Sequence, residues 1–286
     1  MAHQIPGQRQ RNPARQRRDR QQQPTPRSRI LRVEILALDD QQPDRLLAKQ
    51  QDRPRLTEEK FERRLGLADA LDQEFASTYD TKNVRAYSDM YRDAVRLMKS
   101  EDLKAFNIND EPEAMRELYG DDSFGQGCLL ARRLAEHGVR FIEVGLGGWD
   151  THSGNFVTLP EKCAILDKAL AALLSDLDRR GMLEDTMVVL ATEFGRTPNI
   201  NQNEGRDHYP KAFSGLLAGG GIKGGIAYGS TDKTGAEVAE NKVKVEDFNA
   251  TIAYALGIPL DHRLFSPSGR PFTVVNKGKP VVDLFA

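Results

Sequence analysis

The feature that most constrains this chain is a pair of short apolar segments joined by one long amphipathic helix. Residues 139–146 and 186–192 have the composition of buried strands. Between them, from about residue 156 to 180, apolar residues recur at helical spacing, and Gly181 follows at a position typical of a helix end. Two strands joined by one helix must run parallel, with a crossover that is nearly always right-handed. The sequence therefore predicts an α/β fold.

Polar residues follow both predicted strands at the point where each strand ends. Asp150 and His152 come after the first strand, and Glu193 and Arg196 come after the second. Because parallel strands place their carboxyl ends at the same edge of a sheet, these four side chains are expected to share one rim. Ligands bind at that rim in open α/β sheets, so the rim is the best candidate for a functional site.

A third polar pair, Asp207 and His208, precedes a further predicted strand at residues 213–218. This pair joins the rim if that strand is antiparallel to the others or if the loop of residues 198–212 stays along the rim. A loop rich in polar residues and glycine, with no helical pattern, is typical of a functional loop. We therefore expect His208 to face the same cavity as Asp150, His152 and Glu193.

The rim residues have the chemistry of metal ligands. Carboxylate oxygens and imidazole nitrogens bind Zn²⁺ and Mn²⁺, and five such groups suffice for one ion with an open position or for much of a two-metal site. The residues predicted to bind the metal, as ligands or as groups that orient a ligand, are Asp150, His152, Glu193, Asp207 and His208. A planar guanidinium suits phosphate or sulfate oxygens, and the predicted substrate-binding residues are Arg196, Thr197 and Arg206.

Each polar cluster also has a purely structural interpretation. The Asp150 side chain can cap the helix that follows it, Glu193 can pair with Arg196, and Asp207-His208 can be a polar loop dipeptide. The occurrence of all three clusters around the strand ends of one predicted sheet favours a site. No G-x-S-x-G nucleophile elbow is present, and the glycine-rich residues 219–225 lack the Lys-Ser/Thr end of a phosphate loop.

The first 55 residues differ in composition from the rest of the chain. Nine arginines and one acidic residue, Asp19, lie between Arg9 and Arg32, although the whole chain has a net charge of −1. Apart from an apolar patch at residues 30–36, this Arg/Gln/Pro-rich segment has no apolar period, which predicts disorder. Because no RNA-binding module accompanies the arginines, a solvated tail is favoured over a nucleic-acid arm.

The remainder, residues 56–286, is predicted to be one domain. Helical patterns fill residues 57–137, and residues 138–286 supply the sheet core. Cys128 and Cys163 fall on apolar faces of predicted helices, so buried thiols are expected rather than a thiolate metal site. No apolar run approaches the ~20 residues that a membrane span needs, and the arginine-rich start has no apolar core of a secretory signal.

Five motifs occur in a specific order and spacing along the chain. They are Gln126-Gly127-Cys128-Leu129-Leu130-Ala131-Arg132-Arg133-Leu134, Gly147-Gly148-Trp149-Asp150-Thr151-His152, Glu193-Phe194-Gly195-Arg196-Thr197-Pro198, Gly205-Arg206-Asp207-His208-Tyr209-Pro210 and Leu217-Ala218-Gly219-Gly220-Gly221-Ile222-Lys223-Gly224-Gly225. These motifs resemble those of the bacterial "domain of unknown function 1501" family, which is grouped with the alkaline phosphatase and sulfatase superfamily. The resemblance covers about residues 57–286.

The resemblance implies a mixed, mainly parallel sheet flanked by helices, with an alkaline-phosphatase-like core. Asp150 and His152 resemble an Asp-then-His ligand pair of that superfamily, and His208 resembles a later loop ligand. Glu193 and Phe194 occupy the place of an Asp-His pair, so one imidazole ligand is absent. The superfamily's leading strand and its Ser, Thr or Cys nucleophile have no counterpart before residue 56. The core is therefore expected to be incomplete at its N-terminal side.

By this resemblance the expected function is metal-dependent hydrolysis of phosphate or sulfate esters, with a small anionic ester or a sulfated saccharide as substrate. The catalytic nucleophile is not identifiable, and attack by a metal-polarised water would replace it. The alternative is a non-catalytic metal- or carbohydrate-binding protein on the same scaffold. Many members of the family are exported, but this sequence does not indicate where the protein resides.

Overall fold

The computed structural model describes residues 29–35, 57–79 and 81–286, with only the backbone given for 29–35. The chain mixes helices and strands throughout these ranges. The described α-helices are α1 (Glu58–Thr78), α2 (Lys82–Met98), α3 (Glu113–Tyr119), α4 (Ser123–Glu136), α5 (Asn155–Arg179) and α6 (Val245–Ala255). The described strands are β1 (Arg29–Ile35), β2 (Phe141–Gly145), β3 (Thr186–Thr192), β4 (Gly195–Arg196), β5 (His208–Tyr209), β6 (Leu216–Ala218), β7 (Ser230–Thr231), β8 (Val238–Glu240), β9 (Arg263–Phe265) and β10 (Pro271–Thr273).

Four strands form the main sheet, in the order β2-β1-β3-β6. β1 pairs in parallel with both β2 and β3, so β2 and β3 point the same way although they are not neighbours. β6 is antiparallel to β3. The other described strands form three short antiparallel pairs. The prediction of parallel strands joined by one helix is confirmed for β2, α5 and β3.

The position of β1 differs from the predicted domain boundary. Residues 29–35 lie inside the segment expected to be a disordered leader, yet they form the strand between β2 and β3. The apolar patch at residues 30–36 is long enough for a strand of ordinary length, but the prediction of disorder rests on the composition of all 55 residues. The other residues of the predicted leader, 1–28 and 36–55, lie outside the described ranges.

The helices begin and end close to where the sequence predicts them. Thr57 caps α1, with its hydroxyl accepting from the Lys60 amide at 3.4 Å. α5 ends at Arg179, and Gly181 then takes a positive φ of 66°. Cys128 of α4 is buried, and burial raises the pKa of its thiol to about 12. The prediction that Cys163 is also buried is wrong, because α5 presents it to solvent.

The principal core lies between α4, α5 and the sheet. Its fully buried side chains include Leu129, Leu173, Leu177 and Val188. α1 and α2 contribute no buried residue. Within the described ranges, no helix combines the length and the apolar character needed to cross a membrane.

A buried arginine connects the helices on this side of the sheet. The Arg132 side chain on α4 is 1% exposed, and its Nη1 donates to Glu136 at 2.7 Å. Its Nε and Nη2 lie 2.9 Å from oxygens of Asp176 and Glu111, as ion-pair contacts without hydrogen-bond alignment. Tyr119 donates to Asp176 at 3.0 Å. Arg180 is the second cation beside Asp176, with its Nε 2.8 Å from Oδ1 of that carboxylate. The network joins α3, α4 and α5.

We predict that Arg132→Met destabilises the fold by about 3–5 kcal/mol, because it leaves buried carboxylates without their main cation. Urea unfolding followed by circular dichroism measures the loss. The matched control is Arg92→Met, since Arg92 pairs with Asp89 at 2.8 Å while about two thirds exposed. Its loss should not exceed about 1 kcal/mol. Equal losses in the two variants would contradict a structural role for the buried network.

The same network predicts a pH dependence of stability. Burial alone would raise the pKa of Glu111, but its contacts with the guanidinium groups of Arg132 and Arg133 outweigh the effect of burial, so the net shift is downward from 4.5. A carboxyl with a lowered pKa in the folded state stabilises fully above its unfolded pKa and loses this contribution as the pH falls through the folded one.

Glu111→Gln should therefore cost more free energy of unfolding at about pH 7 than at about pH 3. Urea unfolding of both proteins at both pH values measures this. A cost that does not change with pH would show that the ion pairs of Glu111 do not stabilise the fold.

Candidate metal centre

The first side of the site is the segment between β2 and α5. Thr151 is buried, and its hydroxyl donates to the side-chain oxygen of Asn155, the first residue of α5, at 2.6 Å. The carbonyl of Thr151 accepts from the amide of Arg206 at 3.1 Å. With Thr151 held from both sides, Asp150 and His152 project from fixed positions on the segment. Asp150 does not cap α5, because the helix starts after Gly154 without a side-chain cap.

The second side is the short hairpin of β4 and β5, which follows β3. Arg196 pairs with His208 and Gly195 with Tyr209 in antiparallel register. The chain leaves β3, makes the loop between β4 and β5, and returns to the same rim before entering β6. The antiparallel direction of β6 and the course of this loop together place His208 beside Asp150, as a site shared by these side chains requires.

Three potential ligand atoms converge where the two sides meet. Oδ1 of Asp150 lies 2.9 Å from Nε2 of His208 and 3.2 Å from Nε2 of His152, and the two Nε2 atoms are 3.1 Å apart. Both histidine side chains are 46% exposed, so the cluster is open to solvent. Among the described residues these three form the group that can hold a metal ion.

Asp207 supports this group from behind. Its Oδ1 lies 2.8 Å from Nδ1 of His152, the ring nitrogen on the side away from the cluster. A carboxylate at Nδ1 holds the proton there and leaves the lone pair of Nε2 directed at the cluster, which is the arrangement of most metal-binding histidines. The structure thus places Asp207 beside His152 and outside the three-residue group, whereas the sequence predicted it as either a ligand or a residue that orients one.

Both carboxylates are held in the charged form. Hydrogen bonds from His208 and then from Arg196 lower the pKa of Asp150 to about 2. Hydrogen bonds from His152 and then from Asn201 lower the pKa of Asp207. Since a carboxylate must be deprotonated to bind a metal ion, Asp150 is in its ligand form across the physiological pH range.

The residues predicted to bind an anionic substrate form hydrogen bonds within the loop and to the neighbouring segment. Arg196 donates through Nη2 to Asp150 at 2.8 Å and to the carbonyl of Trp149 at 3.1 Å, and through Nη1 to the carbonyl of Arg206 at 3.0 Å. Arg206 donates to the carbonyls of Thr197 and Pro198. The Thr197 hydroxyl donates to the carbonyl of Asn199 and accepts from the amide of Asp207. All three side chains have partners within the protein.

Glu193 does not join the convergence. It is exposed at the end of β3 and does not belong to the group formed by Asp150, His152 and His208. The ion pair that the sequence suggested between Glu193 and Arg196 is replaced by one between Arg196 and Asp150. Phe194, next in the chain, packs against His208 with the two rings tilted by 40° and their centroids 4.3 Å apart.

Two contributors were missed by the sequence argument. Gly205 is buried against the backbone of residue 152, and a Cβ there would lie 2.0 Å from the carbonyl oxygen of His152. Asn201 bonds to both sides of the site through its side chain. The glycine was visible within the motif of residues 205–210, but nothing in its spacing indicated which backbone it approaches.

Gly205→Ala is expected to push the loop away from His152, because neither backbone can move aside without breaking other contacts. We predict a loss of stability of about 1–3 kcal/mol together with loss of the contact between His152 and Asp207. Thermal unfolding and the histidine NMR spectrum measure the two effects. Gly224→Ala is the matched control, since a Cβ at Gly224 meets no atom within 4 Å. An unperturbed Gly205→Ala protein would contradict this packing.

Comparison with known proteins identifies a family but no characterised relative. The model of the family described as "Protein of unknown function (DUF1501)" matches residues 31–285. The match begins within β1, which agrees with the place of that strand in the sheet. No curated protein and no solved structure matches the chain. Because the family model covers most of its length, this chain belongs to the DUF1501 family of proteins of unknown function.

Proposed function

We propose that this protein binds a divalent metal ion, Zn²⁺ or Mn²⁺, through Asp150, His152 and His208, and hydrolyses phosphate or sulfate esters at that ion. One observation carries the proposal. A carboxylate oxygen and two imidazole nitrogens lie within 4.8 Å of one another, at the rim where two parallel strands end. One carboxylate with two histidines is an established set of protein ligands for catalytic zinc.

The spacing of the three atoms fits this assignment. Ligands bound tetrahedrally to one ion at ~2.0–2.2 Å lie about 3.3–3.6 Å from each other. The observed separations are 2.9, 3.1 and 3.2 Å. Each atom would need to move by only a few tenths of an ångström, which is within the freedom of half-exposed side chains.

The protein's own groups prepare the cluster for a cation. Asp207 keeps the proton of His152 on Nδ1, and Arg196 fixes the orientation of Asp150. Three protein ligands leave further coordination positions open, as catalytic sites require. When bound, the ion would supply Lewis-acid polarisation to an ester and to water. No serine, threonine or cysteine beside the cluster is identified as a nucleophile.

The ester class rests on resemblance. The motifs around Asp150, Glu193 and His208 are similar to those of the alkaline phosphatase and sulfatase superfamily, which supports an alkaline-phosphatase-like core and a small anionic ester or sulfated saccharide as substrate. Glu193 stands exposed on the same rim, where it could support a second ion or a substrate.

One observation favours a second candidate, a non-catalytic metal- or carbohydrate-binding protein. The guanidinium of Arg196, the cation nearest the cluster, already donates to three acceptors of the protein. An enzyme acting on phosphate or sulfate esters needs donors for the ester oxygens. Metal binding without hydrolysis would therefore identify the second candidate.

The test is a metal titration of the full chain with ZnCl₂ and MnCl₂ by calorimetry, followed by hydrolysis assays on 4-nitrophenyl phosphate and 4-nitrophenyl sulfate. We predict one site, and His208→Ala should weaken it by more than the about 10–100-fold typical of removing a group that only supports a ligand.

The matched control is His262→Ala, which removes an exposed imidazole outside the cluster and should leave the affinity unchanged. If the wild-type chain binds neither ion, or if both alanine variants bind equally well, the proposal is wrong. Binding without ester hydrolysis would support the non-catalytic alternative.

A further inference from the structure

Asn201 is the only side chain described here that donates to both sides of the site through one nitrogen. Its Nδ2 donates to the carbonyl of His152 at 3.0 Å and to Oδ1 of Asp207 at 3.0 Å. Its Oδ1 accepts from the amides of Asn203 and Gly205, each at 2.9 Å. Since donors face acceptors in all four contacts, the amide has one orientation: turning it over would set oxygen against oxygen.

The backbone around Asn201 closes the same loop on the segment before α5. The amide of Gly154 donates to the carbonyl of Asn203, and that of Asn155 to the carbonyl of Glu204. Asn201 itself donates to the carbonyl of Gly205 at 2.9 Å. The loop therefore lies along residues 152–155, and the side-chain amide of Asn201 is at the centre of the contact.

The two acceptors of Nδ2 are the important ones. The Asp207 oxygen that accepts from Asn201 is the same oxygen that lies 2.8 Å from Nδ1 of His152. The carbonyl that accepts from Asn201 belongs to His152 itself. One nitrogen thus fixes the carboxylate relative to the backbone of the histidine that this carboxylate orients.

We infer that Asn201 is a positioning residue that directs the Nε2 of His152 at the cluster by holding Asp207 in place. This inference deepens the proposed metal site and rests on it where metal affinity is concerned. The orientation of His152, however, is a property of the metal-free protein. The two can therefore be tested separately.

Asn201→Asp is the decisive variant. It is nearly isosteric and keeps the oxygen that accepts from Asn203 and Gly205, so the loop can still close. It replaces the donor by an oxygen that faces the Asp207 carboxylate and the His152 carbonyl, both acceptors. Asn201→Ala removes the donor without adding charge. Asn203→Ala is the control. Asn203 is exposed, and its contacts with Asn201 and Gly154 are made by its backbone, which the substitution leaves in place.

Two readouts separate positioning from a general effect on folding. Long-range ¹H–¹⁵N NMR of the metal-free protein, about two pH units above the ordinary histidine pKa, reports which nitrogen of His152 carries the proton. We expect the proton on Nδ1 in the wild type and in Asn203→Ala, and a mixture of both tautomers in the two Asn201 variants. Zn²⁺ affinity should fall by ~10–100-fold in those variants and remain unchanged in Asn203→Ala.

The outcomes distinguish this inference from the proposed function. An unchanged tautomer in Asn201→Asp and Asn201→Ala overturns the inference, even if the wild type binds Zn²⁺. A wild type that binds no metal ends the proposed function, while a shift of tautomer in both variants would still support positioning by Asn201. Thermal unfolding accompanies each sample, and a tautomer shift counts only in variants whose transition stays cooperative.

Discussion

The arrangement of this domain depends on a single buried guanidinium, that of Arg132. Carboxylates from three stretches of chain surround it: Glu111 before α3, Glu136 at the end of α4 and Asp176 near the end of α5. A buried cation with these partners is not evidence of high stability by itself, because desolvation offsets much of the attraction. It does fix how α5 lies against α4, since a buried carboxylate of α5 has no substitute for this partner except Arg180.

That constraint reaches the rim through the stiffness of a helix. Asp176 lies near the end of α5, and Asn155 is the first residue of that helix. The side chain of Asn155 accepts a hydrogen bond from the hydroxyl of Thr151, which stands between Asp150 and His152 in the chain. The position of the segment that carries Asp150 and His152 therefore depends on a network at the opposite end of the helix. The hairpin of β4 and β5 contacts that segment through local hydrogen bonds such as those of Arg196 and Asn201.

The helix-anchored segment could be predicted from the sequence more completely than the hairpin, which depends on local hydrogen bonds. The strand–helix–strand unit was readable because apolar periodicity and the parallel rule place Asp150 and His152 at a known edge. The position of His208 near Asp150 could be predicted on the assumption that the loop of residues 198–212 stays along the rim. What spacing could not give is which side chains meet: Glu193 follows a rim strand as Asp150 does, yet it does not belong to the group, and Arg196 pairs with Asp150. The apolar patch of β1 is visible in the sequence, but one short patch within an arginine-rich segment does not show that it pairs with strands more than 100 residues later.

Asp150 Oδ1 and the Nε2 atoms of His152 and His208 can all accept hydrogen bonds, so a proton or a cation must hold them together. One oxygen of Asp150 contacts His208, His152 and Arg196 at once, although an oxygen offers about two lone-pair directions. With the His152 proton on Nδ1, a single proton on Nε2 of His208 can bridge the metal-free cluster. Under the proposed function, a divalent cation and this proton would be alternative occupants of one position, because Nε2 of His208 must lose the proton before it can bind the ion.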